Sequence, residues 1–191
     1  MSRALVGLSV ALALGCGPRV PARNAAPDPA IASRLASNPD DVEARLGLAE
    51  ARRAAGDREG ALVEVYKAIA SDPHSEAAQI ARAHIYFDRG LISKEIEAWN
   101  AALAIAPDDA AARENLGHAL LAAGRDADAA AEYRRVLAED PGAKVALFNL
   151  AQLETDAKND EVARTLWLRY LELDPTGPWA EKAKAHLGDG K

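Results

Sequence analysis

His84 and His118 are the residues whose type and spacing could most readily support chemistry in this chain of 191 residues. They are separated by one sequence period of about 34 residues, and Glu50 and Gln152 extend the same spacing in either direction. Two imidazoles and one carboxylate could approach a single metal ion and make the chain a metal-assisted enzyme. A closed structural zinc site takes four ligands, so this set falls short of one. The alternatives are a polar stripe that contacts a partner and an ordinary solvated surface.

Other catalytic motifs are absent from the sequence. It contains no glycine-rich phosphate loop, no paired-histidine zinc motif on one helix and no Gly-x-Ser-x-Gly elbow. The acidic pairs Asp40-Asp41 and Asp108-Asp109 precede predicted helices, where carboxylates act as N-caps. The net charge of −6 makes nucleic acid and anionic membrane surfaces poor partners. We therefore expect no enzyme activity, no cofactor and no resident metal.

The elements that position the histidines follow the same period. Prolines recur at this spacing, and a glycine lies half a period beyond each of three of them. These residues are Pro39, Pro73, Pro107, Pro141 and Pro175, with Gly56, Gly90 and Gly124. Proline ends a helix, and glycine provides the left-handed residue that closes one. Each period is therefore divided into two helices of about 14 residues.

Small and large apolar residues keep the same period. A small residue comes at one fixed offset after each of the first four prolines, and large apolar residues hold fixed positions in the second helices. These residues are Ala49, Ala83, Gly117 and Ala151, then Val65, Trp99, Tyr133 and Trp167. Small residues let neighbouring helix axes approach to about 8–10 Å. The sequence predicts an all-α fold with these tryptophans in its core.

This pattern resembles the tetratricopeptide repeat (TPR) family. The copy at 110–143 fits best, with Gly117, Gly124 and Tyr133 at the family's positions. The resemblance covers four repeats, about two-thirds of the chain. Three residues depart from the family pattern: Arg82, where the family has leucine, Glu95, where it has alanine, and Lys158, where it has glycine.

The resemblance implies a right-handed α-solenoid of four helix-turn-helix units, at residues 42–75, 76–109, 110–143 and 144–177. An N-terminal helix over 29–38 precedes them, and a capping helix and tail over 178–191 follow, with Pro178 at the first helical position. The turn near Lys158 is expected to use Asn159 as its left-handed residue, since asparagine tolerates that conformation. Trp179 either lies over the end of the array or is exposed in a frayed tail.

In this family the first helices line a concave groove, which the resemblance assigns as the surface for a partner peptide or helix. Asn115 and Asn149 match the asparagine whose amide bonds the ligand backbone. For the apolar members the alternative is ordinary interhelix core. The family's lysine and arginine clamp for a terminal carboxylate is not expected, because glutamate, histidine and glutamine occupy its row. The predicted groove residues are Glu50, Ile80, His84, Phe87, Asn115, His118, Leu121, Phe148, Asn149 and Gln152.

The first 28 residues follow a different pattern. Arg3 precedes an uncharged, mostly apolar stretch, Ala4–Leu14, which is too short to span a bilayer but suits a signal-peptide core. Cys16, the one cysteine, follows this core and resembles the lipidated cysteine of bacterial lipoproteins. The alternative is a free or oxidised N-terminal cysteine on a secreted protein. We predict a signal peptide over 1–15 and a proline-rich tether over 16–28, about 35 Å long.

Together these features predict a membrane-tethered interaction scaffold of the bacterial cell envelope. It would be exported and face the periplasm, with the outer membrane favoured because Gly17, not aspartate, follows the cysteine. Its partner would be another protein or peptide. The resemblance implies roles in outer-membrane assembly, pili, secretion or cell-wall enzymes without selecting among them. A monomer is favoured, and self-association through the groove or an array end is the alternative.

Overall fold

The computed structural model describes residues 28–188, which form ten α-helices joined by short turns and contain no strand. The predicted signal peptide, Cys16 and the tether up to residue 27 lie outside these residues. Within 28–188, no helix combines the length and apolarity that crossing a membrane requires. The helices are α1 Pro29–Ser37, α2 Val42–Ala54, α3 Arg58–Ser71, α4 Glu76–Asp88, α5 Ile92–Ile105, α6 Ala110–Ala122, α7 Asp126–Glu139, α8 Lys144–Asp156, α9 Asp160–Leu173 and α10 Ala180–Gly188.

The helices pack as antiparallel pairs that stack into a right-handed solenoid. Helix α2 packs on α3, α4 on α5, α6 on α7 and α8 on α9, and each second helix then contacts the first helix of the following pair. Helix α2 also contacts α4, the first helix of the next pair. At the ends, α1 packs on α2 and α10 packs on α9. The all-α solenoid predicted from the sequence is confirmed.

The turn inside each pair places one residue in the left-handed region of backbone conformation. Three glycines do so as predicted, with φ of 81°, 66° and 72°: Gly56, Gly90 and Gly124. In the fourth pair Lys158 has φ of 61°, so the prediction that Asn159 is the left-handed residue is wrong. Position in the repeat decides this conformation, because Lys158 lies one full period after Gly124. Asn159 instead precedes α9, and its Nδ2 donates to Oε2 of Glu154 at 2.7 Å.

The core lies between the two helices of each pair and between neighbouring pairs. The large residues predicted to be core are all buried: Val65, Trp99, Tyr133 and Trp167. Ala49, Ala83 and Ala151 are buried at the matching small positions of the first helices. At Gly117 the packing leaves no room for a side chain, because a Cβ added there would lie 2.7 Å from Cε1 of Tyr133. The small residues therefore set how closely each first helix approaches its partner.

Replacing Gly117 with alanine is expected to lower the free energy of unfolding by about 1–3 kcal/mol, although alanine is the better helix former by about 1 kcal/mol. The added methyl group meets the Tyr133 ring, whose neighbours leave it no room to move. Gly47→Ala is the matched control, because its methyl group meets only the mobile end of Ile31. Urea unfolding followed by circular dichroism measures both, and a stable Gly117→Ala variant would contradict the packing described.

The C-terminal helix begins at Ala180, slightly later than the predicted start at Pro178. Residues 177–179 form a turn in which the N–H of Ala180 donates to the carbonyl of Gly177 at 3.0 Å. This turn lets the ring of Trp179 stack on Phe148, with ring centroids 4.6 Å apart. Of the two alternatives for Trp179, the structure shows the one in which it lies over the end of the array.

Glu95 is buried on α5 at the position where the family has alanine. Its Oε1 accepts a hydrogen bond from Nε1 of Trp99 at 3.3 Å. Burial raises the pKa of Glu95, and the bond from Trp99 offsets only part of this effect. The pKa of this carboxyl is therefore higher in the folded state than in the unfolded state. At pH values below the ordinary carboxyl pKa, the protonated group favours folding, and this contribution to stability is lost as the pH rises through the folded-state pKa.

We therefore expect Glu95→Gln to raise the free energy of unfolding at pH 7 by on the order of 1 kcal/mol. Glutamine keeps an acceptor for the Trp99 indole but carries no charge to bury. The gain over the native chain should shrink as the pH falls below the ordinary carboxyl pKa, where Glu95 is neutral in both states. Urea unfolding at several pH values measures this difference, and a pH-independent gain would show that the charge is not the cause.

Candidate functional site: the first-helix groove

The first helices α2, α4, α6 and α8 carry the groove positions of the four repeats, which we call the groove face. Nη1 of Arg53 on α2 donates to Oδ2 of Asp88 on α4 at 2.8 Å. Nδ2 of Asn149 on α8 lies 3.0 Å from Nε2 of His118 on α6. These contacts join side chains from neighbouring repeats. The groove face consists of three rows at the repeat spacing: Leu46, Ile80, Glu114 and Phe148; Glu50, His84, His118 and Gln152; and Arg53, Phe87, Leu121 and Thr155.

His84 and His118 each pack against the core aromatic residue of their own repeat. The ring of His84 meets Trp99 edge to face at a centroid distance of 5.3 Å, and the ring of His118 is tilted against Tyr133 at 5.9 Å. Burial of each ring against its aromatic neighbour lowers the pKa of both imidazoles. At His84, Arg53 lowers the pKa further, while the carboxylates of Glu50 and Asp88 act in the opposite direction. The two side chains otherwise remain exposed, so they present neutral imidazoles on the groove face at pH 7.

Glu50 does not join the histidines in a ligand set. Its two carboxylate oxygens accept hydrogen bonds from Nε and Nη2 of Arg53, at 2.8 and 3.0 Å. Across residues 28–188, no group of three or more histidine, cysteine, aspartate or glutamate side chains is placed to hold a metal ion. The Glu50 carboxylate, which a metal-assisted enzyme would need as a ligand beside His84 and His118, is bound to Arg53 in this structure.

Phe87 is the most exposed large apolar side chain in the described part of the chain, with 66% of its surface accessible. Ile80, two helical turns earlier on α4, and Leu121, at the matching position on α6, are half-buried against the core. The alternative of ordinary interhelix core therefore fits the inner surfaces of Ile80 and Leu121 but does not fit Phe87. We call these three residues, which occupy groove-face positions of α4 and α6, the apolar patch.

Phe148 lies at the C-terminal end of the groove face, where α10 covers it. Its ring is sandwiched between Trp179, which stacks on it, and Trp167, which meets it edge to face at a centroid distance of 5.3 Å. Nζ of Lys182 lies 5.2 Å from the ring centre. The sequence predicts Phe148 as a groove contact, whereas the structure makes it part of the packing that holds the cap.

The amide groups of the groove are engaged by the chain itself. Nδ2 of Asn115 donates to the carbonyl of Ala111 at 2.9 Å, and Nδ2 of Asn149 donates to that of Val145 at 3.0 Å. Nε2 of Gln152, which is half-buried, donates to Oδ1 of Asp156 at 3.1 Å. One of the two Nδ2 hydrogens of Asn115 therefore stays available to a ligand, whereas Nδ2 of Asn149 contacts both Val145 and His118.

His186 extends the histidine row and was missed in the prediction from sequence. It lies one full period after Gln152, so the same spacing could have revealed it. Its ring stacks on Trp167 with a centroid distance of 5.0 Å and an interplanar angle of 4°. Helix α10 therefore continues the groove rows in phase, as the first helix of a fifth repeat, and holds its position through aromatic stacking.

The solenoid and its groove face define a helical repeat protein, and the chain belongs to the tetratricopeptide repeat family. Family models described as tetratricopeptide repeat match residues 22–87, 80–144 and 127–178. Among curated proteins, DnaJ homolog subfamily C member 3 from Rattus norvegicus and from Mus musculus are each 31% identical over 134 residues. That match covers 70% of this chain, and the chain spans a quarter of the relatives' length.

Solved structures share the fold at low sequence identity. MamA superposes with a TM-score of 0.68 at 22% identity, covering 82% of this chain and 87% of MamA. Pseudomonas aeruginosa pilF gives a TM-score of 0.73 at 17% identity, covering 83% and 72%. A tetratricopeptide repeat protein from Parabacteroides merdae gives 0.72 at 19%, covering 76% and 58%. The tetratricopeptide repeat fold is one that serves as a scaffold for protein–protein interaction.

Proposed function

We propose that this protein is an exported, lipid-anchored scaffold that captures a peptide or helix of another protein on its groove face. The observation that carries the proposal is Phe87, a phenylalanine left 66% accessible on a face that the repeat packing holds rigid. An exposed aromatic side chain on a preordered surface gains contact area on binding at little cost in conformational entropy. The ring of His84, about one helical turn before Phe87 on α4, offers a hydrogen bond to a ligand.

The sequence pattern at residues 1–28 supports the proposal of a lipid anchor on Cys16. A short apolar core ends at Leu14, Cys16 follows, and three prolines extend the chain before α1 begins at Pro29. A lipid on Cys16 would hold the repeats on a tether of about 35 Å from a bacterial membrane, with the outer membrane favoured. We propose that the scaffold acts there as a monomer, since α1 and α10 cover the two ends of the array.

A crosslinked pull-down from native envelope tests whether the partner binds the groove face. It compares two variants, each with one exposed residue replaced. Phe87→Ser should reduce partner recovery about tenfold or more, because it removes the exposed anchor. Val63→Ser, which alters an accessible apolar residue on second helix α3, should leave recovery unchanged. Circular dichroism checks that both variants stay folded. Equal recovery of the partner with the two variants would contradict binding at the groove face.

The anchor is tested separately by membrane fractionation of a Cys16→Ser variant. The native chain should remain with the membrane pellet after a high-salt wash, because a lipid is not displaced by salt. The variant should be recovered in the soluble fraction. A variant that stays with the membrane would show that something other than a lipid on Cys16 holds the protein there.

A further inference from the structure

The groove face and its borders carry more acid than base. Arg53 is already shared between the carboxylates of Glu50 and Asp88, at 2.8 Å from each, so this cluster keeps a net negative charge. Asp156 accepts a bond from Gln152, which is neutral. Lys182 stands over the Phe148 ring at the capped end. Between Arg53 and the cap, the carboxylates of the groove face form no ion pair with a lysine or arginine of residues 28–188.

Glu114 is the carboxylate in that middle region. It lies half-buried on α6 in the row of Ile80, and within residues 28–188 no lysine or arginine forms an ion pair with it. Burial and the nearby charge of Asp140 raise its pKa, while an interaction with the backbone N–H of Ala146 acts in the opposite direction. A cation brought beside Glu114 would supply the opposite charge that no lysine or arginine of residues 28–188 provides, in addition to the interaction with the Ala146 N–H.

The apolar patch lies at a fixed distance from this carboxylate. Glu114 and Leu121 are two helical turns apart on α6, as Ile80 and Phe87 are on α4. Two helical turns separate such residues by about 10 Å along the axis. That distance corresponds to about three residues of an extended ligand or two turns of a helical one.

We infer that the bound segment of the partner is basic and apolar: an aliphatic or aromatic side chain rests on Phe87 and Leu121, and a lysine or arginine about 10 Å away pairs with Glu114. This inference rests on the proposed function and names the chemistry of its partner. An acidic segment is disfavoured, because its carboxylates would face Glu114 and the Glu50–Arg53–Asp88 cluster. Electrostatic complementarity selects the partner, and the exposed ring supplies the contact area.

A random library of short peptides displayed on phage, selected on the purified chain, tests this inference. Enriched peptides should combine lysine or arginine with aliphatic or aromatic residues. A synthetic peptide from the enriched set should bind Phe87→Ser about tenfold more weakly and Glu114→Gln about fivefold more weakly than the native chain. Added salt should weaken binding to the native chain more than binding to Glu114→Gln.

Val63→Ser and Glu97→Gln are the matched controls, since both residues are exposed at equivalent positions of the second helices α3 and α5. Neither should change the affinity. Enrichment of acidic peptides, an affinity indifferent to Glu114→Gln, or no enrichment at all would overturn the inference. A native partner that depends on Phe87 but binds through an acidic segment would overturn this inference alone, whereas capture independent of Phe87 would overturn the proposed function.

Discussion

Replacing Trp167 with alanine is expected to lower the free energy of unfolding by about 3–5 kcal/mol. The side chain is 1% exposed, and its Nε1 donates to Oγ1 of Thr155 at 3.1 Å. Its ring is also the surface on which Phe148 and His186 pack, so the loss should reach the cap as well as the core. Urea unfolding followed by circular dichroism measures the change.

Leu168→Ala provides the control for Trp167→Ala, because Leu168 is the next residue of α9 and is 45% exposed. It should cost less than about 1 kcal/mol. Hydrogen exchange at α10 offers a second readout: Trp167→Ala should speed exchange there, since the aromatic packing that holds the helix is lost. Unchanged protection of α10 would contradict the role assigned to the Trp167–His186 stack.

Glu64→Ala is expected to cost about 3–5 kcal/mol, because it leaves a cation without its partner in the protein interior. Oε2 of Glu64 accepts from Nη1 of Arg45 at 2.8 Å, and Nζ of Lys67 lies 3.1 Å from Oε1. Glu64 is 3% exposed and Arg45 is nearly as well covered, so water cannot replace the lost carboxylate. Glu59→Ala, which removes an exposed carboxylate from the same helix, should change stability by less than about 0.5 kcal/mol.

The chain itself suggests a rescue for Glu64→Ala. The residues that match Arg45 and Glu64 in the fourth repeat are Leu147 and Leu166, so the fold accepts an apolar pair at these positions. The double change Arg45→Leu with Glu64→Leu should therefore restore stability to near the native value. A double variant as unstable as Glu64→Ala would show that the loss comes from packing and not from the uncompensated charge.

The helices could be predicted from the sequence because a repeated pattern carries the same information several times. The prolines and glycines mark the helix ends, and the buried Trp99, Tyr133 and Trp167 occupy one position of the repeat. Lys158 shows where residue preference misleads: the turn takes its left-handed residue from position in the repeat, although asparagine follows immediately.

The groove could be predicted only in part, because a period assigns rows but not contacts. It places Glu50 beside His84 without indicating that Arg53 binds that carboxylate. It places Phe148 among the groove residues without indicating that Trp179 folds back over it from the turn before α10. Contacts of this kind depend on side-chain direction and on the atypical ends of the array, where the repeat pattern stops.

Site-specific photo-crosslinking in the native cell tests the central claim, that the first-helix face binds a protein partner. A photoreactive amino acid is placed at position 87, on the groove face, and in a parallel chain at position 63, on α3. Both positions are exposed, so the reagent meets solvent in each unless a partner covers it. The account predicts a discrete adduct from position 87 and none from position 63. An adduct from position 63 with none from position 87 would contradict it.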